Sequence, residues 1–255
     1  MKYSIIMISI MLKEFKGWFR LHLNSRLKAI ADSINKSSTI ADIGSDHAYL
    51  PIYLVKNNKA KRAIATDINL GPSEISRKRI KHWGLENIID VRIGFGLEAL
   101  NPKEADTIII SGMGGLLIID ILEQGLEIAN SAQRIILQPM KDSYILRKWL
   151  SKNCFYISDV DIVKEKDKYY EIIWVIPGKE SESSETINYF DDKLINKEST
   201  ILYEYIDSIY KKYESINIKL KNHNTPNAVK RRIECAEMMG YCEEVKSWVK
   251  QNVKK

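Results

Sequence analysis

The chain has 255 residues, 45% hydrophobic and 28% charged, with 39 Lys and Arg against 33 Asp and Glu. That length makes one large domain, or one domain with a small appendage, and the ordinary soluble composition excludes fibrous and wholly disordered classes. The net charge of +6 fits a polyanionic partner and fits a Lys-rich proteome equally well. Cys154, Cys235 and Cys242 are an odd set without close pairs, which argues against a disulfide framework or a metal site and fits a reducing cytoplasm. Cys235 and Cys242 fall two turns apart on a predicted helix, about 10 Å by rise, too far to bridge.

Residues 1–24 read as an extension ahead of the first domain. Its apolar run from Tyr3 to Leu12 is too short to span a bilayer, and no small-residue cleavage site follows. Met11 offers an alternative start. Lys13, Lys16 and Arg20 make this stretch basic, continued by Arg26 and Lys28 in "SRLKAIAD".

From there to Pro177, short β-rich runs alternate with helix-sized segments, the pattern of a parallel sheet with crossover helices. Strands are expected at 39–44, 62–67, 88–93, 105–111, 133–138, 155–164 and 168–176. Only "EKDK" joins the last two, so the final strand should run antiparallel. A parallel sheet closed by an antiparallel hairpin is the methyltransferase variant of the doubly wound fold, and a dinucleotide-binding dehydrogenase would not normally end this way.

The chemistry sits where strands end. In "ADIGSDHAYLP", residues 41–51, Asp42-x-Gly44 closes the first strand and a helix should begin near Ala48 to Leu50, with Pro51 in its first turn. A pyrophosphate needs bare glycine at this loop, whereas Asp46 repels phosphate and attracts an ammonium. Asp67 closes the second strand, 23 residues beyond Gly44, where an acid commonly holds ribose hydroxyls. Gly94, Phe95 and Gly96 follow the third strand, where backbone approaches an adenine and Phe95 packs against its ring. Gly112, Gly114 and Gly115 follow the fourth, with Met113 where it would pack against a sulfonium cofactor, the class that an acid at Asp46 favours over a dinucleotide, and Gln138 and Pro139 share that rim. Each of these taken singly also fits an ordinary turn.

Together "GSDHAYLP", "GMGG", "RIILQP" with "LRKWL", and "KYYEIIWV" make the sequence similar to the bacterial tRNA (adenine(22)-N1)-methyltransferase family over about 25–177. The resemblance implies S-adenosylmethionine as cofactor, tRNA as partner, and methyl transfer to an adenine N1. It places the cofactor against Asp42, Gly44, Ser45, Asp46 and His47 in the first loop, Asp67 and Ile68 in the second, and Gly94, Phe95 and Gly96 in the third. Ser111, Gly112, Met113 and Gly114 complete that set. Asp46, His47 and Tyr49 are the catalytic candidates: proton acceptors for the first two, base stacking for the third. Arg26, Lys28, Lys141, Arg147 and Lys148 are the candidate tRNA contacts. Three positions depart from the family pattern. Phe95 stands where the family carries Asp or Asn, so adenine recognition then rests on backbone and stacking. Ser111 replaces an Ala, and Met140 replaces a rim Asn.

After "PGKESESSET" the β-pattern stops and residues 178–186 read as a linker. Leu202, Ile206, Ile209, Tyr213, Ile216 and Leu220 follow a heptad rhythm. Thr225-Pro226 opens a second helix carrying Val229, Ile233, Ala236, Val245 and Val249. The expected organisation is therefore a Rossmann-like seven-stranded domain at 25–177, a linker at 178–186, and a coiled-coil-like helical hairpin at 187–255. Residues 181–255 carry 13 Lys and Arg against 12 Asp and Glu, a balance that argues against a purely electrostatic clamp. No metal and no membrane association are expected, and the protein is read as a monomer or weak dimer. The rival readings are a methyltransferase acting on another RNA or a small molecule, and a non-catalytic tRNA-binding protein whose cofactor site has decayed, motivated by Phe95 and Met140. A NAD-dependent oxidoreductase is disfavoured by Asp46 and the terminal hairpin.

Overall fold

The computed structural model describes residues 21–178, 189–197 and 199–252. The apolar run from Tyr3 to Leu12, the basic Lys13, Lys16 and Arg20, and most of the expected linker lie outside the described residues.

Seven strands form one sheet: β1 (Ser37–Ile43), β2 (Ala60–Asp67), β3 (Ile89–Ile93), β4 (Thr107–Met113), β5 (Arg134–Pro139), β6 (Phe155–Glu165) and β7 (Lys168–Pro177), in the order β3-β2-β1-β4-β5-β7-β6. The first five pair in parallel, and β7 runs antiparallel to both β5 and β6. Their apolar side chains leave both faces in need of cover. On one face lie α1 (Ser25–Ser33), α2 (Tyr49–Lys56) and α3 (Leu70–His82), packed over Ile30, Ile40, Ile52, Leu54 and Ile109. The other carries α4 (Gly115–Gln124), α5 (Leu126–Ser131) and α6 (Ser143–Lys152) over Ile43, Ile108, Ile110, Leu137 and Leu146. The order reverses between β1 and β4, which opens a crevice at the carboxyl ends of the strands.

Beyond β7 a short α7 (Asp192–Ile195) leads to α8 (Thr200–Leu220) and α9 (Pro226–Asn252). The base of this hairpin joins the sheet's core through Phe190, Leu194, Leu202, Tyr205 and Ile206. The expected seam on α8 holds at its base, where Leu202 and Ile206 are buried. On α9 the expected face is partly wrong. Val229, Ile233 and Ala236 point to solvent, and the buried residues are Ala228, Cys235, Cys242 and Val249, seven apart, with Val245. Cysteine is a small hydrophobe in such a seam, and both buried cysteines are free thiols. No helix among the described residues is long and apolar enough to cross a membrane.

Candidate active site

A cavity of about 610 Å³ lies in the crevice at the strand ends. β1 contributes Asp42 and Ile43, its loop Gly44, Ser45 and Asp46, and α2 Tyr49. Asp67 and Ile68 enter from β2, Gly94, Phe95 and Gly96 from β3, and Ser111, Gly112 and Met113 from β4. Most of the residues assigned to the cofactor from sequence thus meet in one space.

The first loop is built by an unusual backbone. Gly44 has φ of +67°, and Asp46, His47 and Ala48 follow at +34°, +76° and +57°. Three successive non-glycine residues on the left-handed side cost about 1–3 kcal/mol each, so the surroundings must hold them there. A Cβ at Gly44 would also run into the Met113 methyl group across the cavity. The loop ends at Ala48, which caps α2 without a side-chain hydrogen bond.

Asp42 is the acid inside the wall. It is buried, and the Ser45 hydroxyl donates to its Oδ2 at 2.6 Å. Desolvation dominates its ionisation and pushes its pKa up to about 7; the Ser45 bond opposes this and Asp46 adds to it. Asp46 behaves differently: its side chain is 79% exposed and lies 3.3 Å from His47 Nε2. Asp67 Oδ1 accepts from the Asn69 amide at 2.8 Å, which fixes the carboxylate at the end of β2.

Two of the predicted cofactor residues do not line the cavity. His47 turns its Nδ1 into the protein, where it has no partner, and its carbonyl accepts from Arg79. Gly114 caps α4 and packs beside the Lys141 side chain. Its neighbour Gly115 is a packing glycine, since a Cβ there would sit 2.6 Å from the Asp142 carbonyl.

The basic candidates separate into two groups. Arg26 is drawn into the cavity wall: it donates to Gln138 Oε1 at 2.7 Å and to Met140 Sδ at 3.4 Å, pairs with Glu165 at 3.2 Å, and lies over Tyr170. It is not a free phosphate ligand. Arg147 is corrected outright, because its side chain is 0% exposed and bonded to Glu171 and to the Tyr189 carbonyl. A charge with buried partners cannot reach RNA. Lys141 and Lys148 remain exposed, Lys141 beside Gly114, and Lys28 is exposed but paired with Asp32. Sequence reasoning missed Arg79 and the wall residues His22, Asn24, Leu117 and Ile121. Only the helical spacing of Leu117 and Ile121 after "GMGG" offered a signal.

A buried acid, a strand-end carboxylate, a loop open to close backbone approach and an aromatic at β3 suit a cationic nucleoside far better than a pyrophosphate. Fold and cavity together define a Rossmann-like methyltransferase, and residues 23–173 match the methyltransferase-domain family. Among known proteins the chain is 44% identical over 153 residues to the tRNA (adenine(22)-N(1))-methyltransferase of Bacillus subtilis, covering 60% of this chain and 64% of that relative, just under two thirds. The crystal structure of the B. subtilis m1A22 tRNA methyltransferase TrmK superposes with a TM-score of 0.79 at 33% identity, over 89% of this chain and 100% of that one. Streptococcus pneumoniae Sp1610, a putative tRNA (m1A22) methyltransferase solved with S-adenosyl-L-methionine, gives 0.76 at 31% identity, over 88% and 100%. The chain belongs to the bacterial tRNA (adenine(22)-N1)-methyltransferase family.

Proposed function

We propose that this protein transfers a methyl group from S-adenosylmethionine to N1 of adenine 22 in tRNA. The observation that carries this is the single cavity joining Asp42, Ser45, Asp67, Phe95 and Met113 at the switch point of the sheet. Asp42 and Ser45 would hold the charged amino-acid end of the cofactor, Asp67 its ribose, and Phe95 its adenine. When bound, the cofactor supplies an electrophilic methyl group. Adenine N1 carries its own lone pair, so the chain needs no activated side-chain nucleophile, and its task is to hold N1 in line with the methyl. N1 lies on the pairing edge, so the target base must be unpaired or extruded. Tyr49 offers it a ring at the cavity wall. The exposed Asp46 carboxylate would offset the positive charge that the methylated ring acquires and take a proton.

The catalytic domain is assigned to 25–177 and the helical hairpin to 187–255, with the hairpin base sharing the sheet's core. Its far end supports a role with tRNA. Residues 215–233 contain Lys219, Lys221, Lys230, Arg231 and Arg232 and no Asp or Glu, so the balanced charge of the hairpin is segregated along its length. Lys219, Lys221 and Lys230 are exposed there, as are Lys141 and Lys148. Phosphate contacts of this kind position RNA without reading sequence. Mass spectrometry of tRNA incubated with the protein and methyl-labelled cofactor tests the assignment. A label on any atom other than adenine N1 overturns it.

A further inference from the structure

The geometry points to Arg79 as a positioning residue that holds the first loop and Tyr49 in their working arrangement, an inference that rests on the proposed cofactor. Arg79 extends from α3, in the second βα unit, and is 6% exposed. One guanidinium nitrogen donates to the His47 carbonyl at 2.6 Å, in the middle of the left-handed run Asp46–Ala48. The other terminal nitrogen donates to the Tyr49 hydroxyl at 3.0 Å. Its Cζ lies 3.9 Å from the centroid of the same ring. One planar fork therefore fixes a strained backbone and an aromatic side chain of the cavity wall together, a task for which lysine has no equivalent geometry.

The cost of this arrangement shows that it serves more than stability. The two groups bonded to Arg79 are a carbonyl and a phenol, not a carboxylate; its Nε is buried without a hydrogen bond, and the exposed Asp46 charge favours it only through space. A cation buried in that way is expensive. The structure retains it where it braces a loop in left-handed backbone that carries Ser45 and Asp46 into the cavity. With one face of Tyr49 covered by the guanidinium and its oxygen already accepting a hydrogen bond, the ring presents its other face and its hydroxyl proton to a bound ligand.

Two variants separate positioning from scaffolding. Arg79→Gln removes the buried charge and the fork, and Arg79→Lys keeps a cation on a single donor nitrogen. Titration calorimetry with S-adenosylmethionine should show about tenfold weaker binding in R79Q, and a comparable loss in R79K, which keeps the cation but not the fork. The R79Q melting temperature should hold within about 3 °C or rise, because an ill-paired buried charge is lost. Amide exchange should accelerate at residues 45–50 in R79Q. Unchanged affinity in R79Q, an R79K that binds as tightly as wild type, or losses that simply follow falling melting temperatures would overturn the assignment. Should the wild-type protein bind no cofactor, the proposed function fails, while amide exchange at 45–50 still decides whether Arg79 holds the loop.

Discussion

Asp42 should make cofactor binding a proton-coupled event. Its carboxyl is buried in the cavity wall, and desolvation lifts its pKa from 3.8 to about 7 against the Ser45 hydrogen bond. Between those values the folded protein holds a proton that the unfolded chain has released. Stability contributed by this residue is therefore full below about pH 4 and is lost as pH rises toward 7, at about 1.4 kcal/mol per pH unit and about 4 kcal/mol in all. Asp42→Asn should abolish that loss and leave the ligand-free protein more stable at pH 8 by up to about that amount. The cofactor's sulfonium and ammonium favour the ionised carboxylate, so binding at pH 6 should expel close to one proton, and at pH 8 almost none. Affinity at pH 6 should then be about tenfold weaker than at pH 8. Calorimetry in buffers of different ionisation heat reads both quantities. His22 lines the same cavity and His47 adjoins it, so His22→Gln and His47→Gln serve as controls. Equal affinity at the two pH values, or the same pH response in Asp42→Asn, refutes the reasoning.

Asp67→Ala should weaken cofactor binding about ten- to hundredfold, the loss of charge-assisted hydrogen bonds, while the protein stays folded; unchanged affinity by calorimetry removes its ribose role. Gly44→Ala places a Cβ on a residue with φ of +67° and against Met113. Thermal denaturation should show a loss of about 1–3 kcal/mol, and cofactor affinity should fall with it. Arg147 and Lys148 are neighbours with opposite fates. Arg147→Ala leaves the buried Glu171 charge without its cation, held only by the Tyr205 hydroxyl, and should cost about 3–5 kcal/mol in a denaturant melt. Lys148→Glu should leave the melt unchanged and weaken tRNA binding, with a salt dependence shallower by about one ion, as read by filter binding.

The sheet was readable from sequence because its strands are short apolar runs punctuated by glycine and acid, and each observed strand lies within a few residues of its expected position. The cavity was readable for the same reason: loops at strand ends of a doubly wound sheet converge whatever the helices do. Buried charge was not. Arg147 looks like any helix-surface cation until Glu171, on a strand 24 residues later, is placed beside it. Arg26 belonged to a basic segment on paper, and only the return of β6 and β7 brings Glu165 and Tyr170 up to it. On α9 two apolar stripes fit a helix equally well, and the one containing Cys235 and Cys242 is buried because α8 lies on that side. Arg79 was missed because nothing local distinguishes it; its partners belong to the preceding βα unit.

The buried contacts of Arg147 also fix how the two halves of the molecule are joined. Arg147 from α6 meets Glu171 on β7, and the Tyr205 hydroxyl of α8 donates to the same carboxylate at 2.9 Å. The hairpin is thereby clamped at its root to the strands that end beside the cavity. α8 has 21 residues, about 31 Å of rigid rod by its rise, with Lys219 and Lys221 at its far end. If cavity and basic tip both hold tRNA, as proposed, the molecule is in effect a caliper with one jaw at each. A rigid gap measures: an RNA too short to reach both jaws should lose the phosphate contacts proposed for the tip even when it carries the right adenine.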